Sequence, residues 1–292
     1  MSEAANSSPE RGGGPAAGWW RGGGRQSAVF DGDPSTTRFA SGPPPRSGEE
    51  LDSLTPAEIA DRLSGSPEGR AAFVRAAAEA GLAEAQAVYG QMLLDGVGVS
   101  VDQRAALDWF MKAAAQHHVM AINMVGRCYD LGWGTAVMKD RAAACFRIAA
   151  EMGLDWGMYN YATLLALGEG VEEDKTAALR WLEKAAAMGN AKAINFVGSF
   201  HEDGWVVARD MDEAARCYAK AAEGGDFRGC FNHARMLGMA GKVDEALVWI
   251  ARAGETATAP FLDKAEAWLR RSDVPGFAEH GPTMLRRGKA SC

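Results

Sequence analysis

Small and apolar residues recur at one fixed interval over much of the chain, from about Thr55 to Ala253. Two columns of alanine and glycine show the interval, which is 36 residues. The first column comprises Ala85, Ala121, Gly157, Ala193 and Gly229, and the second comprises Gly90, Gly126, Ala162, Gly198 and Ala234. Such a strict period is typical of a solenoid, in which each repeat buries its apolar face only against its neighbours.

Each repeat is predicted to contain two α-helices. The first runs from about Glu84 to Asp95 and ends at Gly96, since glycine commonly follows a helix C-terminus. The second begins near Asp102, whose side chain is expected to cap the helix N-terminus. Two helices of about a dozen residues, each about 20 Å long, fit the period. The small columns are expected where antiparallel helices press closely together.

The pattern divides the chain into four regions. Residues 1–50 are rich in Gly, Pro and Arg and are predicted to be a disordered tail, in which the pair Trp19-Trp20 could be a docking motif. Residues 51–254 are predicted to form the solenoid, with about five repeats and a partial first one. Residues 255–272 contain an amphipathic segment, "APFLDKAEAWLRR", which is predicted to be the C-terminal capping helix. Residues 273–292 are predicted to be a flexible tail.

The repeats resemble the Sel-one-like repeats, close relatives of the tetratricopeptide repeat. The family outline appears in "AQAVYGQMLLDGVGVSVDQRAALDWFMKAA" and "GMYNYATLLALGEGVEEDKTAALRWLEKAA", over about 200 residues in tandem. The resemblance implies an all-α fold, a right-handed α/α superhelical solenoid of helix-turn-helix repeats. It also implies a role as a protein–protein adaptor, of a kind that we expect to be bacterial.

The same resemblance supplies an alternative function, a β-lactamase-like or penicillin-binding hydrolase, as described for some secreted relatives. Those relatives carry a cysteine pair that staples a turn between helices. Cys230 matches the second position of that pair, but Ala222 stands at the first. The N-terminus also lacks the apolar core of a secretion signal, and the five cysteines form no CxxC pair. We therefore expect a cytoplasmic protein without this activity.

Composition and charge narrow the partner class. The net charge of −7 argues against nucleic acid as a partner, and no run of eighteen apolar residues exists that could insert into a membrane. Adjacent His117 and His118 do not face one way on a helix, so no metal site is predicted. Acidic clusters such as Glu172-Glu173-Asp174 lie at predicted helix starts, where the helix dipole favours negative charge. No catalytic residue and no cofactor is predicted.

The leading hypothesis is a non-enzymatic adaptor or regulator that binds a partner in the concave groove lined by the first helices. Amides there can hold an extended peptide, cations would suit an acidic or C-terminal segment, and aromatic side chains would be anchors. The predicted partner-binding residues are Asn123, Arg127, Trp156, Tyr159, Lys192, Asn195, Arg228 and Arg235. For each of them the alternative is contact with solvent or with a neighbouring helix. A third hypothesis lets Trp19-Trp20 of the same chain occupy the groove.

Overall fold

The computed structural model describes residues 55–290, with the backbone alone at residues 289 and 290. Every regular element in this part of the chain is an α-helix, which confirms the all-α prediction. Residues 1–54, including Trp19-Trp20, lie outside the described residues. In chain order the helices are α1 (Pro56–Ser64), α2 (Pro67–Glu79), α3 (Ala83–Asp95), α4 (Gln103–Ala115), α5 (Val119–Leu131), α6 (Lys139–Glu151), α7 (Asp155–Leu167), α8 (Lys175–Ala187), α9 (Ala191–Asp203), α10 (Met211–Glu223), α11 (Phe227–Met239), α12 (Val243–Thr256), α13 (Ala259–Leu269) and α14 (Phe277–Ala290).

The described residues form two compact units, 55–190 and 191–290. In the first unit, each helix from α1 to α7 packs against the next one along the chain. In the second unit, α9 to α12 pack in the same consecutive way, and α14 packs against both α12 and α13. The ring of Phe261 on α13 lies edge-on to that of Phe227 on α11, with centroids 4.8 Å apart.

The predicted caps are present in most repeats. Asp102, Asp174 and Asp210 each precede a second helix and accept a hydrogen bond from a backbone N–H in its first turn. Met138 stands at the corresponding position before α6 and makes no such bond. The acidic residues at these helix starts are therefore structural, as the sequence pattern indicated.

The small columns lie where helices approach closely. A Cβ atom on Gly90 would come within 2.8 Å of the Phe110 ring, and one on Gly126 within 2.6 Å of the Phe146 ring. Between successive repeats, a Cβ on Gly157 would lie 2.7 Å from that of Ala149. Larger residues would force these helices apart, because interiors have no room for added atoms.

The loop between the two helices of a repeat reaches back to the preceding repeat. Gly98, Gly134 and Gly170 have φ near +70°, and a Cβ there would overlap the backbone of Pro67, Gln103 and Lys139 respectively. Each contact joins residues 31 positions apart. Glycine is required for two reasons: it adopts the left-handed conformation without strain, and it has no Cβ to overlap the neighbouring backbone.

The end of the chain differs from the flexible tail predicted for residues 273–292. Residues Phe277–Ala290 form helix α14, in which Phe277 and Leu285 are completely buried. A Cβ on Gly288 would come within 1.9 Å of the Ala251 carbonyl oxygen, so α14 lies directly against α12. The apolar face of α12 needs a neighbour, and α14 supplies it.

Candidate partner-binding surface

Four of the predicted binding residues lie on two first helices of the 55–190 unit, α5 and α7. Trp156 stands in the first turn of α7 and has 40% of its surface exposed, the largest exposure of any tryptophan among residues 55–290. Its ring meets that of half-buried Tyr159 edge-on, with centroids 6.4 Å apart and an interplanar angle of 88°. The two predicted aromatic anchors are thus brought together.

Asn123 on α5 is buried rather than exposed. Its Oδ1 accepts a hydrogen bond of 2.9 Å from Nδ2 of Asn160 on α7. This bond joins the first helices of two successive repeats. Asn160, which is half-buried, was not among the predicted site residues, although it lies 37 residues after Asn123.

Arg127 is also partly enclosed. Its guanidinium lies over the Trp133 ring, 4.7 Å from the centroid, in a cation–π contact. Burial lowers the pKa of this guanidinium, but an arginine still carries its charge at neutral pH. Arg127 therefore places a positive charge next to Trp133 on the predicted face.

The other four predicted residues belong to the 191–290 unit, and two of them are internal. Asn195 on α9 is completely buried, and its Oδ1 accepts from Nδ2 of Asn232 on α11 at 2.9 Å. Arg235 on α11 is 3% exposed and its Nη2 lies 2.5 Å from Oε1 of Glu202, which is also buried. The Arg235 cation is thus neutralised inside the unit.

Further side chains complete a polar cluster around Glu202. Tyr218 on α10 donates to Oε2 of Glu202 at 2.6 Å, and Arg235 Nη1 donates to Oδ1 of Asn232 at 2.9 Å. Burial raises the pKa of the Tyr218 hydroxyl well above its usual value, with the Glu202 charge acting in the same direction. The cluster joins α9, α10 and α11, and the 36-residue register alone did not reveal its buried acid.

Lys192 and Arg228 are half-buried. The Arg228 guanidinium lies over the Phe227 ring at 4.5 Å from the centroid, and its charge acts on the buried Asp226 carboxylate. Lys192 acts on the same carboxylate. These two cations therefore interact with a buried carboxylate at the N-terminus of α11.

The structure also shows an apolar surface of which only Trp156 was among the predicted site residues. Met120 and Trp156 lie in the first turns of α5 and α7, while Met152 and Met188 directly follow α6 and α8. They are exposed at 41%, 40%, 46% and 57% respectively. We call these four residues the methionine edge. The signal in the sequence was their register, because each of the pairs 120/156 and 152/188 is one period apart.

The described residues also show how potential metal ligands and three of the cysteines are placed. Within residues 55–290, no cluster of three or more His, Cys, Asp or Glu side chains is placed to hold a metal ion. Burial raises the pKa of the Cys128, Cys217 and Cys230 thiols to about 12, so these three remain protonated and weakly nucleophilic at neutral pH. Over the same range no helix has the length and apolar character needed to cross a membrane.

Comparison with known proteins gives one consistent family. The Sel1 repeat model matches residues 83–118, 119–154, 157–190 and 191–226. The crystal structure of a Sel1 repeat protein from Oxalobacter formigenes superposes with a TM-score of 0.59 at 23% identity, covering 72% of this chain and 87% of that one. For c5321, a protective antigen of uropathogenic Escherichia coli with an SLR fold, the TM-score is 0.58 at 25% identity, covering 80% and 52%.

Among curated proteins, chitin synthase regulator SKT5 of Saccharomyces cerevisiae is 30% identical over 145 residues, which is 48% of this chain and 20% of the yeast protein. Protein SHC1 of the same yeast is 25% identical over 154 residues, 49% of this chain and 30% of that protein. The chain thus spans less than a third of the length of either curated relative.

Proposed function

Because the chain carries four Sel1 repeats and belongs to the Sel1 repeat proteins, which generally mediate protein–protein interactions, we propose that it is a non-enzymatic adaptor. In this proposal the 55–190 unit binds an extended peptide segment of a partner protein. The contact surface comprises the first-helix face of α5 and α7 together with the methionine edge.

The observation that carries the proposal is the exposed Trp156 ring, held edge-on against Tyr159. Tryptophan and tyrosine dominate the binding energy of protein interfaces, because they bury a large area with little loss of side-chain freedom. The Tyr159 contact holds the Trp156 ring in place before a partner arrives. This lowers the ordering entropy that binding must overcome.

The asparagine pair supports a peptide ligand. The hydrogen bond between Asn160 and Asn123 fixes both amides between α5 and α7. A side-chain amide has two donors and an acceptor with two lone pairs, so each amide has capacity beyond this single bond. Asn160, the less buried of the two, is the better candidate to contact a peptide backbone.

The charge of the 55–190 unit argues against an acidic partner. Of the four predicted cations, Arg235 is neutralised by Glu202, and Lys192 and Arg228 act on Asp226, which leaves Arg127 as the predicted cation on the 55–190 unit. Residues 55–190 contain seventeen Asp and Glu against twelve Lys and Arg, a net charge of −5. We therefore propose that the bound segment is neutral or cationic, which revises the acidic peptide expected from sequence.

A crosslinked pull-down from the native cell tests the proposal. We expect the double variant Trp156→Ala/Tyr159→Ala to lose a partner that the unchanged protein retains, with the melting temperature preserved. Met239→Ala is the matched control, because Met239 is an exposed apolar side chain on α11 in the other unit. Retention of every partner by the double variant would show that this face is not used.

The non-enzymatic part of the proposal has its own test. Purified protein is expected to show no turnover of nitrocefin, a chromogenic β-lactam. Turnover that co-purifies with the protein and survives Trp156→Ala would support the hydrolase alternative instead. The yeast relative SKT5 is named as a regulator of an enzyme, chitin synthase, which supports the proposal of a protein that acts through a partner.

A further inference from the structure

The methionine edge has the character of a docking surface. Its three methionines and Trp156 recur along two columns of the 55–190 unit, and the spacing of successive repeats in a helical stack is about 10 Å. Flexible thioether side chains adapt to varied apolar partners. An exposed row of such residues on a soluble domain commonly marks an interaction site.

The apolar character of this row stops with the unit. One period after Trp156 stands Lys192, followed by Arg228, and one period after Met188 stands Gly224. Register therefore places methionine and tryptophan in the first unit where the second has cations and glycine. An apolar segment that binds this row therefore finds matching apolar residues at these register positions in residues 55–190 but not in the second unit.

The unit that carries the methionine edge has a negative net charge. Glu84, Glu151 and Asp155 lie at the same helix ends as the edge residues, although Glu84 pairs with His118 and Glu151 with Arg147. The net charge of −5 on residues 55–190 contrasts with residues 191–292, where fourteen acidic and fourteen basic side chains cancel. A cationic apolar segment is thus complementary to the first unit and not to the second.

One segment of this chain has the matching chemistry. Residues 11–25, "RGGGPAAGWWRGGGR", carry three arginines, no carboxylate and the pair Trp19-Trp20. Thirty-four residues lie between Trp20 and Thr55, where the described chain begins. A random-coil chain of that length would span about 30 Å on average, the extent of three repeats.

We propose that Trp19-Trp20 docks in cis on the methionine edge, with the arginines of residues 11–25 facing its carboxylates. This inference rests on the proposed function, because it names a competitor of the partner at the same surface. Tethering gives the segment an effective concentration on the order of millimolar, so a weak contact is enough to occupy the edge. A partner must displace the segment before it can bind.

The test uses a fluorescein-labelled peptide of residues 16–25 and full-length protein, with binding measured by fluorescence anisotropy. The variant Trp19→Ala/Trp20→Ala should bind the peptide about fivefold more tightly than the unchanged protein, because the edge is no longer occupied in most molecules. Adding Met152→Ser and Met188→Ser to that variant should abolish binding. Adding Met239→Ser instead should leave binding intact, since Met239 is also exposed but lies in the other unit.

Each other outcome overturns the proposal in a distinct way. Equal affinity of both proteins for the peptide, still lost with the Met152→Ser and Met188→Ser changes, would mean that the segment is not bound in cis, while the edge would remain a candidate partner site. Binding that survives the edge changes, or no binding at millimolar peptide, would remove the edge as the docking surface. Dimerisation that depends on Trp19-Trp20 in sedimentation experiments would assign the segment to a second copy of the chain.

Discussion

Val206 adopts a left-handed backbone conformation, with φ of 53°, at the position that glycine holds in three other repeats. A β-branched residue there is strained by about 1–2 kcal/mol. Its side chain is 53% exposed, so little packing is lost if it is removed. We predict that Val206→Gly raises the free energy of unfolding in urea by roughly 0.5–1 kcal/mol, the relief being partly offset by the greater freedom of glycine in the unfolded chain.

The matched control is Gly170→Ala in the first unit. A Cβ at that position would lie 2.1 Å from the Lys139 carbonyl carbon, so the loop must move away. The free energy of unfolding should fall by more than about 2 kcal/mol, through both strain and lost packing. A loss of stability in Val206→Gly would show that the left-handed valine is not strained.

Asp226 gives a prediction about pH. It caps α11 by accepting from the Gly229 N–H at 2.9 Å, yet burial raises its pKa above the usual value near 3.8. Between the usual pKa and the raised one, the folded state holds more protons than the unfolded state. The free energy of unfolding therefore falls as the pH rises from the usual pKa through the raised one. Asp226→Asn, which keeps a good cap, should melt at a higher temperature than the unchanged protein at pH 7. This advantage should disappear below pH 4.

Asp210 is the control, because its pKa is shifted in the opposite direction to that of Asp226. Backbone N–H groups, chiefly that of Glu213, lower the pKa of this exposed cap. Its contribution to stability is therefore present above the usual pKa and is lost as the pH falls through the lowered one. Asp210→Asn should lower the melting temperature at pH 7 and have less effect at pH 3. Parallel pH profiles for Asp226→Asn and Asp210→Asn would contradict both assignments.

At the scale of elements, the Glu202–Arg235 ion pair holds α9 to α11. Removing one partner leaves a buried charge uncompensated, so Arg235→Met or Glu202→Met should each lower the free energy of unfolding by about 3–5 kcal/mol. The double variant should lose much less than the sum of the two, because neither charge remains. Chemical denaturation of the four proteins completes this cycle. Additive losses would show that the pair is not coupled.

The same elements show what the sequence could predict. Helices α3 to α11 follow the 36-residue columns, since close helix packing tolerates only Ala or Gly at those positions. Helix α14 breaks that pattern with Pro282 inside it and Gly281 and Gly288 along it. Here the glycines mark close approaches to α13 and α12 that are recognisable only once those helices are placed.

The candidate site was predictable only in part, for a similar reason. Register places Trp156 and Tyr159 on one face of one helix, and the structure brings their rings together. Register also places Arg235 in an apparently open column, but it contains no information on the buried carboxylate of Glu202, 33 residues earlier. The environment of a side chain depends on which neighbour reaches it, and the sequence period does not specify this.

At the scale of the whole molecule, charge is unevenly divided between the two halves. The five excess carboxylates of residues 55–190 should attract cationic segments, and salt should screen that attraction, because the Debye length falls from about 10 Å at 0.1 M to about 3 Å at 1 M. We predict that the peptide of residues 16–25 binds the Trp19→Ala/Trp20→Ala variant roughly fivefold more weakly at the higher salt concentration.

Anisotropy titrations at the two salt concentrations measure this effect. A peptide in which Arg21 and Arg25 are replaced by Gln is the control, and its binding should change little with salt. If both peptides respond equally, the charge of the first unit does not contribute to recognition. Apolar contact with the methionine edge would then be the main source of affinity.

The loop contacts of Gly98, Gly134 and Gly170 have a consequence for synthesis of the protein in the cell. Each loop rests on backbone that was made 31 residues earlier. A growing chain can therefore close one such contact for every 36 residues that leave the ribosome, at intervals of about 2–7 s. The first unit can be assembled step by step in the order of translation, with each finished repeat serving as the template for the next.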